Sequence, residues 1–198
     1  MQWTSQNEPG QKPHYVATFD NHATTAEMEF LAGVWQATQR EDCRAGFVQG
    51  LDFILAAQYP NGGWPQVYPL EGGYHDAITF NDDAMIGVLS FLRDVAEKKD
   101  DYKFVEEERR MRAEKAVAKA VPLILKLQVE KRGKKTVWAA QYDENTLKPA
   151  AARAFEPISL TAGESVAIVR FLMEENPTPE IVAAVEAAVR WFEANKLI

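Results

Sequence analysis

The chain has 198 residues, 46% of them hydrophobic, a formal net charge of −7 and a single cysteine, Cys43. It is long enough to bury one sizeable core and is most simply one domain, while its acidic balance argues against nonspecific binding to nucleic acid or anionic membranes, so an anionic ligand has to be met by local cations or a metal. One cysteine excludes an internal disulfide and a cysteine-based zinc cluster, three scattered histidines form no zinc motif, and no apolar run reaches membrane-spanning length.

Residues 1–17 are polar and hold Pro9, Gly10 and Pro13, an irregular lead-in without a signal-peptide pattern. A first helix is predicted over about 25–39, where Met28, Leu31, Trp35 and Thr38 share a face, and a second over 42–58 on Phe47, Leu51, Ile54 and Leu55. Their short charged connection favours an antiparallel pair, and Cys43, near the second helix start, reads as structural. Between Tyr59 and Met85 lies YPNGGWPQVYPLEGGYHDAITFNDDAM, 27 residues with four glycines, three prolines and five aromatics. It reads as a long working loop with a small core of its own.

Helical spacing returns over 82–98 with Met85, Val88, Leu89, Leu92 and Val95, closing on lysines that suit a helix C-terminus. Residues 100–115 are densely charged, a solvated connection and the start of a long helix that Val117, Val121, Leu125 and Gln128 continue. Pro122 is expected to kink that helix or restart it. A second long loop, 131–161, carries Trp138, Gln141, Tyr142 and the basic stretch KPAAARAFE. Two further helices are expected over 164–174 and 179–195, the last with Thr178 as its cap and Pro179 in its first turn. No stretch reads strongly as a strand.

A weak internal repeat turns these elements into an architecture. Gln58, Gly62, Trp64, Gln66 and Tyr68 in the first loop are matched by Gln128, Gly133, Trp138, Gln141 and Tyr142 in the second, at spacings of 70 to 75. Thr18-Phe19-Asp20-Asn21 likewise mirrors Thr79-Phe80-Asn81-Asp82, and Glu164 opens the equivalent third helix. Three helix pairs with polar groups at one end predict an all-α fold, an incomplete (α/α) toroid with long loops on one face. Asp and Asn at helix starts ordinarily cap, yet Asn81, Asp82 and Asp83 offer more oxygens than one cap uses, and clustered hard oxygens suit calcium.

The blocks ATFDNHAT, GGWPQVYP, HDAITFNDDAM and WAAQYDENTLKPAAARAFEPISLTAGESVAIV, in this order, resemble the family 10 polysaccharide lyases, pectate lyases with an (α/α) toroid catalytic domain. The resemblance covers about residues 15–195 and implies one catalytic domain over 1–198 that cleaves polygalacturonate by calcium-assisted β-elimination. It places the base on Arg153, calcium on Asp20 with Asp82 or Asp83, and Asn21 and Asn81 as their neighbours. An arginine base needs a lowered pKa, for which nearby Lys148 supplies positive charge; the plainer reading of Arg153 is a substrate-carboxylate clamp or an ion pair with Glu156. Trp64, Tyr68 and Tyr74 are candidates for stacking on sugar rings, the plainer reading being that they fill the loop's core. The resemblance further implies a secreted protein, and a monomer with pectin oligosaccharides as partners is expected.

Family members carry an amino-terminal helical segment and a carboxy-terminal region that are not matched here, so a shortened domain is expected. Two other readings stay open. One is a non-catalytic, calcium-dependent pectin-binding module. The other is an α/α toroid enzyme of the terpenoid cyclase type, which an apolar central cavity would favour and a basic loop around Arg153 disfavours.

Overall fold

The computed structural model describes residues 16–196, so the expected lead-in lies, up to residue 15, outside the described residues. Six helices carry the fold: α1 (Ala23–Thr38), α2 (Glu41–Ala56), α3 (Ala84–Ala96), α4 (Glu107–Leu127), α5 (Gly163–Met173) and α6 (Pro179–Asn195). Each lies within two residues of its predicted start except α4, whose onset the charged run conceals. Consecutive helices pack as hairpins, α1 on α2, α3 on α4 and α5 on α6, and the hairpins stand side by side. The odd-numbered helices form one layer, with α3 touching both α1 and α5, and the even-numbered helices form the other, with α4 touching α2 and α6. This is the all-α arrangement of three helix pairs that the repeat predicts.

α3 sits at the centre because nine of its 13 residues are buried, from Ala84 to Val95, an apolar surface too wide for a helix with one solvent face. Around it the core gathers Phe47, Leu51, Ile54, Leu123, Ile124, Ile168 and Leu172. Pro122 neither ends nor splits α4, which runs through it unbroken. The proline lies on the exposed side of the helix, where the carbonyl it leaves unpaired is open to water, so the expected restart does not occur. The Thr178 hydroxyl accepts the Ile181 N–H at 3.3 Å and caps α6 as expected.

The strands are two residues long and escape any test of alternation. β1 (Ala17–Thr18) pairs antiparallel with β2 (Val67–Tyr68), β3 (Ile78–Thr79) with β6 (Gln141–Tyr142), and β4 (Glu130–Lys131) with β5 (Lys134–Lys135). The first two ladders clip the long loops to the entries of α1 and α3.

Matching hydrogen bonds show what the repeat does. The Trp64 indole N–H donates to the Ile54 carbonyl in the last turn of α2 at 2.9 Å, and the Trp138 indole donates to Ile124 in the last turn of α4 at 2.8 Å. Gln58 donates to the Ala116 carbonyl of α4 and Gln128 to the Ala184 carbonyl of α6, each tying the end of one hairpin to the next. The ladders make Tyr68 and Tyr142 equivalent, but they make Gln66 the counterpart of Ala140 rather than of Gln141: Phe19 N–H bonds to Gln66 O and Phe80 N–H to Ala140 O. The carbonyl that Gln58 binds on Gly62 is matched by that of Thr136, so Gly133 is not the partner of Gly62 either.

Candidate functional site

Two short turns feed α1 and α3. Asp20–His22 follows Phe19, and Asn81–Asp83 follows Phe80, with both phenylalanines almost fully buried as anchors. In each turn two consecutive residues other than glycine adopt left-handed backbone: Asn21 and His22 at φ 50° and 58°, Asp82 and Asp83 at φ 51° and 58°. Asn and Asp tolerate this region best, yet each such residue stores on the order of 1 kcal/mol that the surroundings must offset. The offsetting contacts are the Phe19 bond to Gln66 O at 2.9 Å and, in the second turn, bonds from Phe80 and Asn81 N–H to Ala140 O at 2.8 and 3.1 Å. The long loops therefore hold the turns in shape.

The two turns touch one another and place Asp20 and Asn81 on the wall of one cleft of about 370 Å³, together with Gln66, Tyr74, His75, Arg153 and Glu156. Asn21, Asp82 and Asp83 open on the adjoining groove beside Arg93 and Arg170. Gln66 and Asn21 each donate to the Asp20 carboxylate at 3.0 Å, and Asn81 donates to Asp82 at 2.6 Å. Asp82 is exposed on its outer edge, but packed protein on its inner side, and next the neighbouring charge of Asp20, push its pKa up. Two carboxylates that repel one another in this way form a setting that a hard cation relieves.

Asp83 turns instead toward His22, whose Nε2 lies 3.9 Å from its carboxylate. Among the described residues no three His, Cys, Asp or Glu side chains stand close enough to hold a metal together, so Asp20, Asp82 and Asp83 do not form one closed cage. The oxygens that do meet fit calcium on condition that water or a substrate carboxylate completes the shell.

Arg153 enters from the loop before α5, where it is 65% exposed and clamped by Glu156. Its Nε donates to Glu156 Oε2 at 3.0 Å, its backbone N–H to the same oxygen at 3.2 Å, and its Nη2 to Oε1. The hydrogen bonds and charge of Glu156 hold the guanidinium pKa above its ordinary value, the reverse of what a base requires. Lys148 is exposed and does not line the cleft, so the charge expected to lower Arg153 is not at its side. The ion pair with Glu156 is the reading the structure bears out for the free protein.

The stacking expectation is corrected for Trp64 and Tyr68. Trp64 is fully buried as the cap of α2 and cannot meet a sugar ring. Tyr68 is partly buried edge-on against Phe53, 5.2 Å between centroids, and lies outside the cleft wall. The third candidate, Tyr74, lines the cleft together with His75 and Phe155, of which Phe155 is 97% exposed. Gln66, His75 and Phe155 carry no sequence signal as site residues, because only the loop fold brings them beside Asp20 and Arg153. The charged and amide wall offers no apolar chamber of the kind a cyclase requires.

A family model described as pectic acid lyase matches residues 2–198. The Family 10 polysaccharide lyase from Cellvibrio cellulosa superposes with a TM-score of 0.89 at 38% identity, over 96% of this chain and 59% of that one. An aspartate-to-alanine mutant of the Family 10 polysaccharide lyase from Cellvibrio cellulosa, in complex with trigalaturonic acid, gives a TM-score of 0.87 at 39% identity over 90% and 56%. The chain thus spans less than two thirds of the length of these solved relatives. A search of curated proteins finds no match. Agreement of the family model along nearly the whole chain with the fold of these lyases shows that the chain belongs to the pectic acid lyase family.

Proposed function

We propose that the protein is a polysaccharide lyase that cleaves polygalacturonate by β-elimination, as a secreted, monomeric, single catalytic domain. The observation that carries this reading is the meeting of Arg153 with Asp20 and Asn81 across one cleft, with Asp82 near enough for its charge to act on Arg153, in a chain whose solved relative binds trigalaturonic acid.

The chemistry follows from the position of the substrate carboxylate. The proton at C5 of a galacturonate is α to a carboxylate, so its removal builds charge on a group already negative. Arg153 takes that proton, the freed electron pair forms the C4–C5 double bond, the C4–O bond breaks, and the departing oxygen takes a proton from water. While Glu156 holds Arg153 the charged guanidinium is favoured, so Glu156 has to release it as substrate enters. Asp20 and Asp82 would hold calcium, which when bound supplies positive charge against the enolate-like density. Gln66 and Asn21 keep the Asp20 carboxylate oriented, and the strained turns hold Asp20 on the cleft wall with Asp82 at the edge of the groove beside it.

The raised pKa of Arg153 favours a second reading, a calcium-dependent pectin-binding module without turnover. One experiment separates the two. Polygalacturonate is incubated with the protein at alkaline pH and ultraviolet absorbance of the unsaturated product is followed with calcium, with chelator, and with Arg153→Ala. Calcium-dependent product that disappears in the variant is the expected result. Calcium-dependent retention of the polymer with no product from folded wild-type protein would establish the binding module instead.

A further inference from the structure

A second groove, of about 1110 Å³, runs between the β4–β5 hairpin and α6 and is separate from the cleft. Five cationic side chains line it, Lys131, Arg132, Lys134, Lys135 and Arg190, with no Asp or Glu among the lining residues. In a chain of net charge −7 this is a local reversal of sign. Arg190 is engaged by Glu186 at 3.2 Å, but Lys131, Arg132 and Lys134 are exposed and in no ion pair among the described residues.

The hairpin presents these charges in a fixed pattern. Arg132 and Gly133, at φ 54° and 73°, form the two-residue left-handed turn that suits the twist of a tight hairpin. Lys131 and Lys134 are directly opposed in the ladder and so project from the same face. Like charges so placed repel one another, which makes the pair a poor device for stability and a good one for an anion. Across the groove, Ala183, Ala187 and Ala194 leave an unfilled trough along α6, and the partly buried Trp191 supplies a flat ring. Val182 and Val189, the exposed apolar pair of α6, lie roughly 130° around the helix from this trough at 3.6 residues per turn, so the groove is distinct from that apolar face.

We propose that this basic groove binds a polyuronide chain as an ancillary site that extends the reach of the cleft. Spaced cations meet successive carboxylates, and the alanine floor with Trp191 accommodates pyranose rings. The groove and the cleft are joined by one short connecting segment. Thr136 lines the first and Ala140 the second, four residues apart and so separated by at most about 14 Å of backbone. One long polyanion can therefore occupy both, and the second contact becomes intramolecular, raising affinity for the polymer without new contacts to a short oligomer.

The inference rests on the polyuronide reading of the cleft, and its test is chosen to fail separately. Lys131, Arg132 and Lys134 are replaced together by Gln, leaving the cleft intact, and binding is measured by affinity electrophoresis in gels holding polygalacturonate and by calorimetry with trigalacturonate. At low salt the triple variant is expected to lose about tenfold in affinity for the polymer, with a shallower salt dependence and unchanged trisaccharide binding. Equal polymer affinity in variant and wild type would overturn the groove while leaving product formation, and with it the cleft reading, untouched. An equal loss toward a sulfated polymer of matched charge would also overturn it, as the groove would then be a general anion surface.

Discussion

Replacing Trp64 by Phe separates its structural role from any role in sugar binding. The indole N–H is the donor to Ile54 O at 2.9 Å, and both residues are completely buried. This carbonyl belongs to the last turn of α2, where the Gln58 N–H that would continue the helix donates to Leu55 instead. Phenylalanine keeps the aromatic packing but leaves a buried acceptor unpaired, a loss of about 1–3 kcal/mol, and the smaller ring adds about 1 kcal/mol for the void it leaves. At roughly 2–4 °C per kcal/mol for a chain of this size, a total near 3 kcal/mol lowers Tm by about 6–12 °C. Thermal unfolding followed by circular dichroism reads this directly, and steady-state cleavage of polygalacturonate well below Tm should show an unchanged KM. A KM that rises while Tm stays within a degree or two of wild type would refute the assignment of Trp64 to the core.

The remaining predictions concern the site. Glu156→Gln removes the carboxylate that holds the Arg153 pKa up, so the guanidinium gives up its proton more readily and the alkaline activity profile moves to lower pH; an unmoved profile would count against Arg153 as the base. A carboxyl whose pKa is raised on folding, as for Asp82, favours the folded state at low pH and loses that contribution as pH rises through its folded value. Asp82→Asn should therefore raise Tm in chelator at neutral pH and make no difference in acid, and equal melting curves at both would remove the repulsion with Asp20 from the account. A Cβ at Gly87 would stand 2.9 Å from His22 Nδ1, so Gly87→Ala has to displace the imidazole of His22, the last residue of the turn bearing Asp20 and Asn21. The expected readout is cleavage falling at least about tenfold while Tm drops by only a few degrees, as surface-side rearrangements seldom exceed ~1 kcal/mol; full activity would show that the turn is held elsewhere.

The sequence by itself determined the six helices, because their apolar spacing at three and four residues is a local property that any buried helix must obey. It also determined the paired turns, since TFDNHA and TFNDDA have the same residue types in the places where left-handed backbone is needed. The equivalence of Trp64 with Trp138 was readable as a spacing of 74, although not the reason for it, which is that each indole closes the end of an outer helix. The register of the loops was not readable: two-residue strands have no period, so the spacing matches Gln66 with Gln141 whereas the two ladders make Ala140 its counterpart. Only the tertiary structure decided which residues share the cleft. Asp20, Asn81 and Arg153 come from segments more than sixty residues apart, and they meet because the hairpins stack with the starts of α1, α3 and α5 at one end. The Arg153–Glu156 pair, only three residues apart, was within reach of the sequence; the same stacking, by contrast, buries Trp64 inside a helix end and divides the acidic residues between two openings. Those outcomes depend on long-range packing, which no local pattern encodes.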